Sequence, residues 1–356
     1  MIDTVIGKRD VPVDEIKWFK NWNSTVNRDT RGTTYRRYYK RFPVGDFSTL
    51  GIFAETRFGK ASVGIEASLP KMLFDNNVRV LTAGEVRQGA DCISNLFEYY
   101  TGLEFDALSA RLSRADLVCS WKLTEDEVNR RLDVTKLVRY GGKHTRVIDK
   151  EKGVPSVYHG RKNYCENYLY SKHAETMLRV KQGTAKDEHL RASIGNLRLE
   201  DCRYTAKLRQ DGERFGFGKC MTLANLLQTG IVKQLLMEDM KNLQLDRPIA
   251  GRDEREHKLE MYCGSDTAKY ARLWGILDTV IRRGEKGAID YLGYDLVRRG
   301  RIELTNAGIW LAAENRLPLP ALRPPDFDED VIDVSRDYAG RSNTYQTLAP
   351  VQTYLN

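Results

Sequence analysis

Charged side chains and tyrosines alternate with apolar side chains in four short segments of the sequence. These segments span residues 63–68, 114–121, 164–173 and 196–200. Because successive side chains of a β-strand point to opposite faces, each segment would separate its apolar residues from its polar ones. If the four strands are neighbours in one sheet, its polar face gathers carboxylates, two tyrosines and a lysine: Glu66, Asp116, Tyr168, Tyr170, Lys172 and Glu200.

Such a grouping suits the cleavage of a phosphodiester. Hard carboxylate oxygens bind Mg²⁺ or Mn²⁺, and the ion neutralises charge that develops on the phosphate oxygens. A tyrosine hydroxyl, whose ordinary pKa is ~10, becomes an effective nucleophile when a metal or a lysine stabilises its phenolate. Attack by tyrosine conserves the bond energy in a phosphotyrosine, so the strand can later be rejoined. The same alternation also occurs in ordinary α/β proteins whose strands carry surface ion pairs.

The histidines and cysteines restrict the kind of metal site. Many nicking enzymes hold their metal with two histidines around one bulky residue, and the five histidines here include no such pair. His173 is the histidine beside the tyrosines, where it could position a phosphate or simply lie at a solvent-facing strand end. The six cysteines are scattered singly, and Cys119, Cys165 and Cys202 are expected to be core or strand residues. Any metal site must therefore depend on carboxylates.

A basic, aromatic stretch near the start of the chain predicts a nucleic-acid contact. Residues 31–42 interleave five cations with four aromatic side chains, in a chain of net charge +8. Cations can neutralise phosphates while aromatic rings stack on unpaired bases. An exposed strand with an aromatic face would give the same pattern. The residues expected to bind DNA, including two arginines from the alternating segments, are Arg36, Arg37, Tyr38, Lys40, Arg41, Arg114 and Arg198.

The length and composition indicate two domains and a tail. The chain has 356 residues, whereas single hydrophobic cores stop growing near ~250–300 residues. We expect an α+β protein: a mixed α/β domain on a central antiparallel sheet over residues 1–215, a mostly helical domain over 216–316, and an extended acidic, proline-rich tail over 317–356. There is no apolar run of membrane-spanning length and no signal peptide, which predicts a cytoplasmic protein.

Local signals predict individual helices. Thr124 and Glu127 have the spacing of a capping box. Ser265 and Asp266 are both helix N-cap candidates, with Gly284 as a plausible stop. A second helical segment at 286–299 precedes residues 301–304, which could form one strand of a small wing. The helices with their basic ends could then sit on duplex DNA like a winged helix. A plain helical bundle with solvated arginines is the alternative.

Three of these stretches resemble the gene II replication proteins of filamentous phages and, more broadly, the tyrosine initiators of rolling-circle plasmids. The likeness covers about residues 60–210 and keeps the order of that family. The first part is residues 66–77, which contain Leu69-Pro70-Lys71 and end in an asparagine. The second is residues 113–117, which contain Arg114-Ala115-Asp116. The third is Tyr170-Ser171-Lys172, followed by residues 195–200.

The resemblance implies roles for individual residues. Tyr170 inherits the role of the nucleophile, and Lys172 would support the phenolate or the phosphate. Asp116, Glu200 and Glu66 would bind the metal, Mg²⁺ or Mn²⁺. Tyr168 lies two residues before Tyr170 and could compete for the nucleophilic role, but only Tyr170 has the lysine two residues later.

The implied activity is origin-specific nicking and joining of DNA in rolling-circle replication of a phage or plasmid. The expected partners are single-stranded and supercoiled origin DNA and the polymerase and helicase of a host bacterium, in whose cytoplasm the protein would act without contacting a membrane. One rival is a non-enzymatic DNA-binding regulator, such as a repressor or copy-control factor, which would not need Tyr170. Another is a metal-dependent nuclease that uses water and forms no covalent intermediate.

Overall fold

The chain folds around one antiparallel sheet of ten strands, which confirms the predicted α+β class. The computed structural model describes residues 2–28, 34–135, 146–148, 156–243, 245–246, 252–309 and 321–322. Predictions for residues 31–33 and for nearly all of the tail at 317–356 therefore lie outside the described residues. Within these ranges, no helix combines the length and the apolar character that a membrane crossing requires.

The strands do not follow one another across the sheet in chain order. They are β1 (Ile2–Val11), β2 (Asn23–Arg28), β3 (Thr34–Pro43), β4 (Thr49–Arg57), β5 (Lys60–Ser68), β6 (Arg111–Lys122), β7 (Arg146–Ile148), β8 (Ser156–Arg161), β9 (Cys165–Ser171) and β10 (Asn196–Tyr204). Their order is β2-β3-β4-β5-β1-β6-β10-β9-β8-β7. The first strand of the chain thus lies in the middle, between β5 and β6.

Helices connect the strands and make up most of what the structure describes after β10. They are α1 (Leu69–Phe74), α2 (Ala83–Thr101), α3 (Glu125–Thr135), α4 (Lys172–Lys181), α5 (Glu188–Ser193), α6 (Thr205–Arg214), α7 (Leu223–Leu226), α8 (Ile231–Asn242), α9 (Arg252–Cys263), α10 (Thr267–Leu292) and α11 (Tyr294–Asn306). A 3₁₀ helix also spans Val13–Asn21. The predicted capping box before α3 is present, since Thr124 and Glu127 bond to each other's backbone N–H.

The apolar residues of the alternating strands form the main core, as their pattern predicts. Leu117 and Cys119 on β6 and Leu197 and Leu199 on β10 are buried in one hydrophobic cluster. The same cluster takes in the apolar faces of α2 and α8, so both helices pack against this part of the molecule. This face of the sheet is therefore buried in the core, whereas Asp116 and Glu200 lie on the opposite face.

A buried ion cluster ties the sheet to two helices. Arg203 on β10 donates to Asp201, to Asp211 Oδ2 at 2.7 Å and to Asp239 Oδ2 at 2.8 Å. Asp211 lies on α6 and Asp239 on α8, and all four side chains are buried. Because the guanidinium has donors on several sides, one arginine satisfies three carboxyl groups at once.

Helices α9, α10 and α11 make a second hydrophobic cluster of their own. Leu259 of α9, Leu277 of α10 and Leu304 of α11 are among its buried members. The N-cap at Asp266 is confirmed, since its side chain accepts from Lys269 N at 2.8 Å. Two other predictions are wrong: α10 continues through residue 284 to Leu292, and residues 301–304 lie inside α11 rather than in a wing strand.

The domain boundary at residues 215/216 stays a prediction. Helices α7 and α8 follow that boundary in the chain, yet their apolar residues belong to the first hydrophobic cluster. The second cluster begins only with α9.

One glycine in the sheet has no room for a side chain. A Cβ on Gly64 of β5 would lie 2.4 Å from the carbonyl oxygen of Gly7 and 2.5 Å from the Phe53 ring. We expect Gly64→Ala to lower the free energy of unfolding by about 1–3 kcal/mol, measured by urea denaturation. Gly84→Ala is the matched control, since its nearest neighbour is 4.0 Å away. Equal unfolding midpoints for the two variants would contradict this packing.

Candidate active site on the polar face of the sheet

The register of three neighbouring strands brings the predicted site residues together. In antiparallel strands, directly opposed residues point to the same side of the sheet. The opposed pairs on β6, β10 and β9 are Asp116 with Cys202, Glu200 with Tyr168, and Arg198 with Tyr170. We call this side, which carries Asp116, Glu200, Tyr168 and Tyr170, the polar face.

The Tyr170 hydroxyl contacts one of the predicted metal ligands. It donates a hydrogen bond to Glu200 Oε2 at 3.0 Å, and the tyrosine side chain is only 7% exposed. Burial raises the pKa of Tyr170 well above its ordinary value, the negative charge of Glu200 raises it further, and Arg198 acts in the opposite direction. The chain alone therefore disfavours the phenolate, and a nucleophilic Tyr170 requires added positive charge near Glu200.

Tyr168 has a different partner. Its hydroxyl donates to Glu166 Oε2 at 2.7 Å, and its ring lies against Tyr158 with the ring centroids 5.1 Å apart. Burial and the hydrogen bond to Glu166 both raise its pKa. The two tyrosines are thus distinguished by geometry, since only the Tyr170 hydroxyl is bonded to Glu200.

Lys172 reaches the site from a helix and not from a strand. The segment predicted to be extended through residue 173 ends as a strand at Ser171, whose side chain accepts from Ala174 N and caps α4. Lys172 is 1% exposed, donates to Asn77 Oδ1 at 3.0 Å and pairs with Glu175. Its Nζ lies 5.9 Å from the centroid of the Tyr170 ring.

The charge of Lys172 depends on its surroundings. Burial lowers the pKa of Lys172 to about 8, and the neighbouring Arg198 lowers it as well, while Glu175 has the opposite effect. At neutral pH the side chain is thus still mostly protonated, so it supplies positive charge beside Tyr170.

Arg198 lies inside the site. Its side chain is 0% exposed and donates to Asp3 Oδ2 at 3.1 Å and to the carbonyl oxygen of Asn77. This placement does not support the DNA contact predicted for it, because a fully buried guanidinium cannot reach a phosphate at the surface. Arg198 instead links β10 to β1 and to the segment after α1.

Two carboxylates and a thiol could hold a metal ion. Ligand atoms of Asp116, Glu200 and Cys202 all lie within 4.8 Å of one another. Both oxygens of Asp116 also accept from Arg114, each at 2.7 Å. Burial raises the pKa of Asp116 to about 7, with Arg114 lowering it and Glu200 raising it.

The chemistry of these donors fits a hard cation. Burial, together with the charge of Asp116, strongly raises the pKa of the Cys202 thiol, so this group stays neutral. The two remaining donors are carboxylates, the ligands that Mg²⁺ and Mn²⁺ prefer. A cation there would also offset the cost of burying Asp116 beside the charge of Glu200.

Glu66 is on the polar face but outside this group. It lies opposite Ile6 of β1, and Ile6 lies opposite Arg114 of β6, so one whole strand separates Glu66 from the strand of Asp116. Its other neighbour across the sheet is Gly51, which is paired with Arg41. The predicted role of Glu66 as a metal ligand is therefore not supported by its position.

The predicted DNA-binding residues of β3 divide between the two faces. Arg37 and Arg41 share the polar face, where the Arg37 guanidinium lies 4.0 Å from the centroid of the Phe53 ring. Arg36 and Lys40 are exposed on the opposite side. Tyr38 is 6% exposed and belongs to the hydrophobic core, which explains its aromatic character without DNA. Arg114, bonded to Asp116, is partly exposed on the polar face.

Sequence reasoning missed several residues of the site. Asp3 accepts from Arg198 and from Ser68 Oγ, and Asn77 and Glu175 hold Lys172. Asn77 closes the first stretch of the family resemblance, so a signal for it was present. Asp3 gives a weaker signal, because its strand shifts register between Ile2 and Val5 and the alternation is interrupted there.

The metal group predicts a selective loss of binding. We expect Glu200→Gln to weaken Mn²⁺ binding at least tenfold, roughly the effect of disturbing a metal's ligand environment. Glu66→Gln, a carboxylate of the same face outside the group, is expected to leave the Mn²⁺ affinity unchanged. Titration followed by the electron paramagnetic resonance of free Mn²⁺ measures both. Equal losses in the two variants would place the ion elsewhere.

Comparisons with known proteins do not assign a family. No model of a known protein family matches the chain, and no curated protein does. Among solved structures the chain is similar to DynU16, a protein in the dynemicin biosynthetic locus, with 11% sequence identity over 67% of this chain and 98% of that chain. The TM-score of that match is 0.15. Such a low value does not indicate a shared fold, and the geometry of the polar face remains the basis for assigning a function.

Proposed function

We propose that this protein nicks and rejoins one DNA strand at the origin of a phage or plasmid that replicates by the rolling-circle mechanism. The observation that carries the proposal is the hydrogen bond from the Tyr170 hydroxyl to Glu200 Oε2. Glu200 also belongs to the acidic group that fits a metal ion. A nucleophile, a proton acceptor and a cation site thus lie within one small part of the polar face.

The chemistry is a transesterification. Tyr170 Oη attacks the phosphorus, the bond from phosphorus to the 3′ oxygen breaks, and the 5′ end of the strand remains on the tyrosine. Glu200 accepts the proton of the Tyr170 hydroxyl, to which it is already hydrogen-bonded, and the leaving 3′ oxygen takes a proton from solvent. The reverse attack by a 3′ hydroxyl rejoins the strand.

The buried cations assist this reaction by their charge. Arg198 opposes the raised pKa of the Tyr170 hydroxyl. Lys172 adds a second cation, with its Nζ 5.9 Å from the centroid of the Tyr170 ring. A divalent ion at Asp116 and Glu200 would supply further positive charge to the phosphate oxygens. Asp3 and Glu175 hold the two cations in place. Since Tyr170 is 7% exposed, the phosphodiester reaches it only when the side chains that cover it move.

The rest of the polar face is suited to a single strand of DNA. Arg37 and Arg41 on β3 and Arg114 on β6 place cations along it, and rings such as Tyr39 offer stacking surfaces. In this proposal the protein acts in the cytoplasm of a host bacterium. The free 3′ hydroxyl is extended there by the host polymerase while a host helicase unwinds the duplex.

Covalent trapping tests the proposal. Single-stranded oligonucleotides tiled along the DNA around the coding sequence are incubated with the protein and Mn²⁺, then separated on a denaturing gel. We expect a protein–DNA adduct from one oligonucleotide, which disappears when a chelator is present. Cleavage without any adduct would indicate a nuclease that uses water.

One observation favours an alternative function, that of a DNA-binding regulator without catalytic activity. Both oxygens of Asp116 already accept hydrogen bonds from Arg114, so this carboxylate is satisfied without a metal. A regulator predicts tight origin binding that survives the chelator, and no nick in supercoiled origin DNA. Nicking that requires Mn²⁺ excludes it.

A further inference from the structure

A small cavity opens on the polar face, away from Tyr168 and Tyr170. Its volume is about 210 Å³, below the ~300–1,000 Å³ usual for drug-sized ligands. Strands β3, β4, β5 and β1 contribute to its lining, together with Phe47 and with Lys71 of α1. Its size would suit a small group such as one nucleotide base.

The lining combines one carboxylate with two cations. Glu66 points into the cavity together with Arg41 and Lys71. Among the residues that the structure describes, none donates a hydrogen bond to Glu66, whereas Arg41 Nε donates to Tyr39 Oη at 2.7 Å. The carboxylate is thus available as an acceptor, with positive charge beside it.

Aromatic rings complete the cavity. Phe47 and Tyr39 both line it, and the Tyr39 ring lies over Gly51. A Cβ on Gly51 would come within 2.6 Å of Tyr39 Oη, so the glycine leaves the space that this ring occupies. Rings in such a cavity can stack on a planar ligand.

We propose that this cavity holds one unpaired guanine of the DNA strand that lies on the polar face. Guanine presents two adjacent N–H donors and a neighbouring carbonyl oxygen, which complement Glu66 and a cation. Adenine and cytosine place an acceptor beside their amino group, and thymine has one N–H between two carbonyl groups, so none of them offers a carboxylate two adjacent donors.

This inference rests on the proposed function, because it takes the DNA to lie on the same face as Tyr170. Four strand spacings of ~4.8 Å separate β5 from β9, about 19 Å in all. The base in the cavity is therefore a few nucleotides from the phosphate at Tyr170. It would set the register of the strand without taking part in the reaction.

Binding without cleavage tests the inference. The Tyr170→Phe protein, kept in a chelator, is titrated with a short fluorescent deoxythymidine oligonucleotide and with the same oligonucleotide carrying a single guanine. We expect the guanine to tighten binding about tenfold or more, the usual contribution of a bidentate base contact. Glu66→Gln should remove this preference, and Glu98→Gln, an exposed acid on α2, should keep it.

The outcomes separate this inference from the proposed function. Equal affinities for the two oligonucleotides, a preference that survives Glu66→Gln, or no binding of either would overturn the guanine site. Adduct formation by the wild-type protein would still support nicking in any of these cases. Conversely, the protein could prefer the oligonucleotide with guanine in a way that depends on Glu66, yet form no covalent adduct. That outcome would support the guanine site and overturn the proposed nicking activity.

Discussion

Tyr170→Phe is expected to abolish nicking of supercoiled origin DNA, with a loss of at least about 10³-fold in rate. The substitution removes only the hydroxyl, which is both the proposed nucleophile and the donor to Glu200. Loss of that single hydrogen bond should change the free energy of unfolding by only about 0.5–1.5 kcal/mol, so the variant remains folded. Conversion of supercoiled to open-circular DNA over time, with Mn²⁺ present, measures the rate.

Tyr168→Phe is the matched control for this experiment. It lies on the same strand and the same face, but its hydroxyl is bonded to Glu166 and not to Glu200. We expect its nicking rate to stay within about tenfold of the wild-type rate. If both variants lose activity, two tyrosines share the reaction; if only Tyr168→Phe does, Tyr170 is not the nucleophile.

Arg203→Met is expected to lower the free energy of unfolding by about 3–5 kcal/mol. The arginine serves three buried carboxyl groups, those of Asp201, Asp211 and Asp239, and methionine would leave them without these bonds. Removing one partner from a buried ionic cluster costs more than the cluster contributes, because the remaining charges stay buried. Urea denaturation followed by circular dichroism measures the loss.

Two variants give this prediction its controls. Arg214→Met breaks the exposed pair of Arg214 with Glu238 on the same helix as Asp211, and should change stability by at most about 1 kcal/mol. Asp239→Asn should have a smaller effect than Arg203→Met, since burial and the neighbouring Asp201 raise the pKa of Asp239 well above its ordinary value and the amide oxygen of asparagine can still accept from Arg203. A change of less than 1 kcal/mol in Arg203→Met would mean that the cluster rearranges when the arginine is absent.

The strands that carry Asp116 and Glu200 could be predicted because their alternation is local and regular. Leu117, Cys119 and Leu199 are buried on one side of the sheet, as a period of two requires. Tyr170 follows the same rule, because its strand continues to Ser171. Up to Ser171, the alternation of neighbouring residues along the sequence is enough to predict which side of the sheet each side chain faces.

The neighbours of Glu66 could not be predicted in the same way. Its face is the expected one, but β1 from the start of the chain lies between β5 and β6. Strand order depends on contacts between distant parts of the chain, which the pattern of a single strand does not contain. Asp3 was missed for the same reason, since its importance appears only when β1 takes its central place.

Two predictions were wrong because tertiary packing outweighed the local sequence signals on which they were based. Gly284 was expected to end a helix, but α10 continues to Leu292 and places Ala288 in the second hydrophobic cluster. A glycine inside a helix costs only about 1 kcal/mol, less than the burial of such a turn contributes. Residues 301–304 have a strand-like composition, yet Leu304 is completely buried as part of α11.

The measurement that tests the central claim most directly is the position of the covalent attachment. The adduct formed with a single-stranded origin oligonucleotide and Mn²⁺ is digested with a nuclease and a protease, and the modified peptide is sequenced by mass spectrometry. Our account predicts a nucleotide linked through a 5′ phosphate to Tyr170, in the peptide that also contains Tyr168. Attachment to any other residue, or cleaved DNA with no modified peptide, would contradict it.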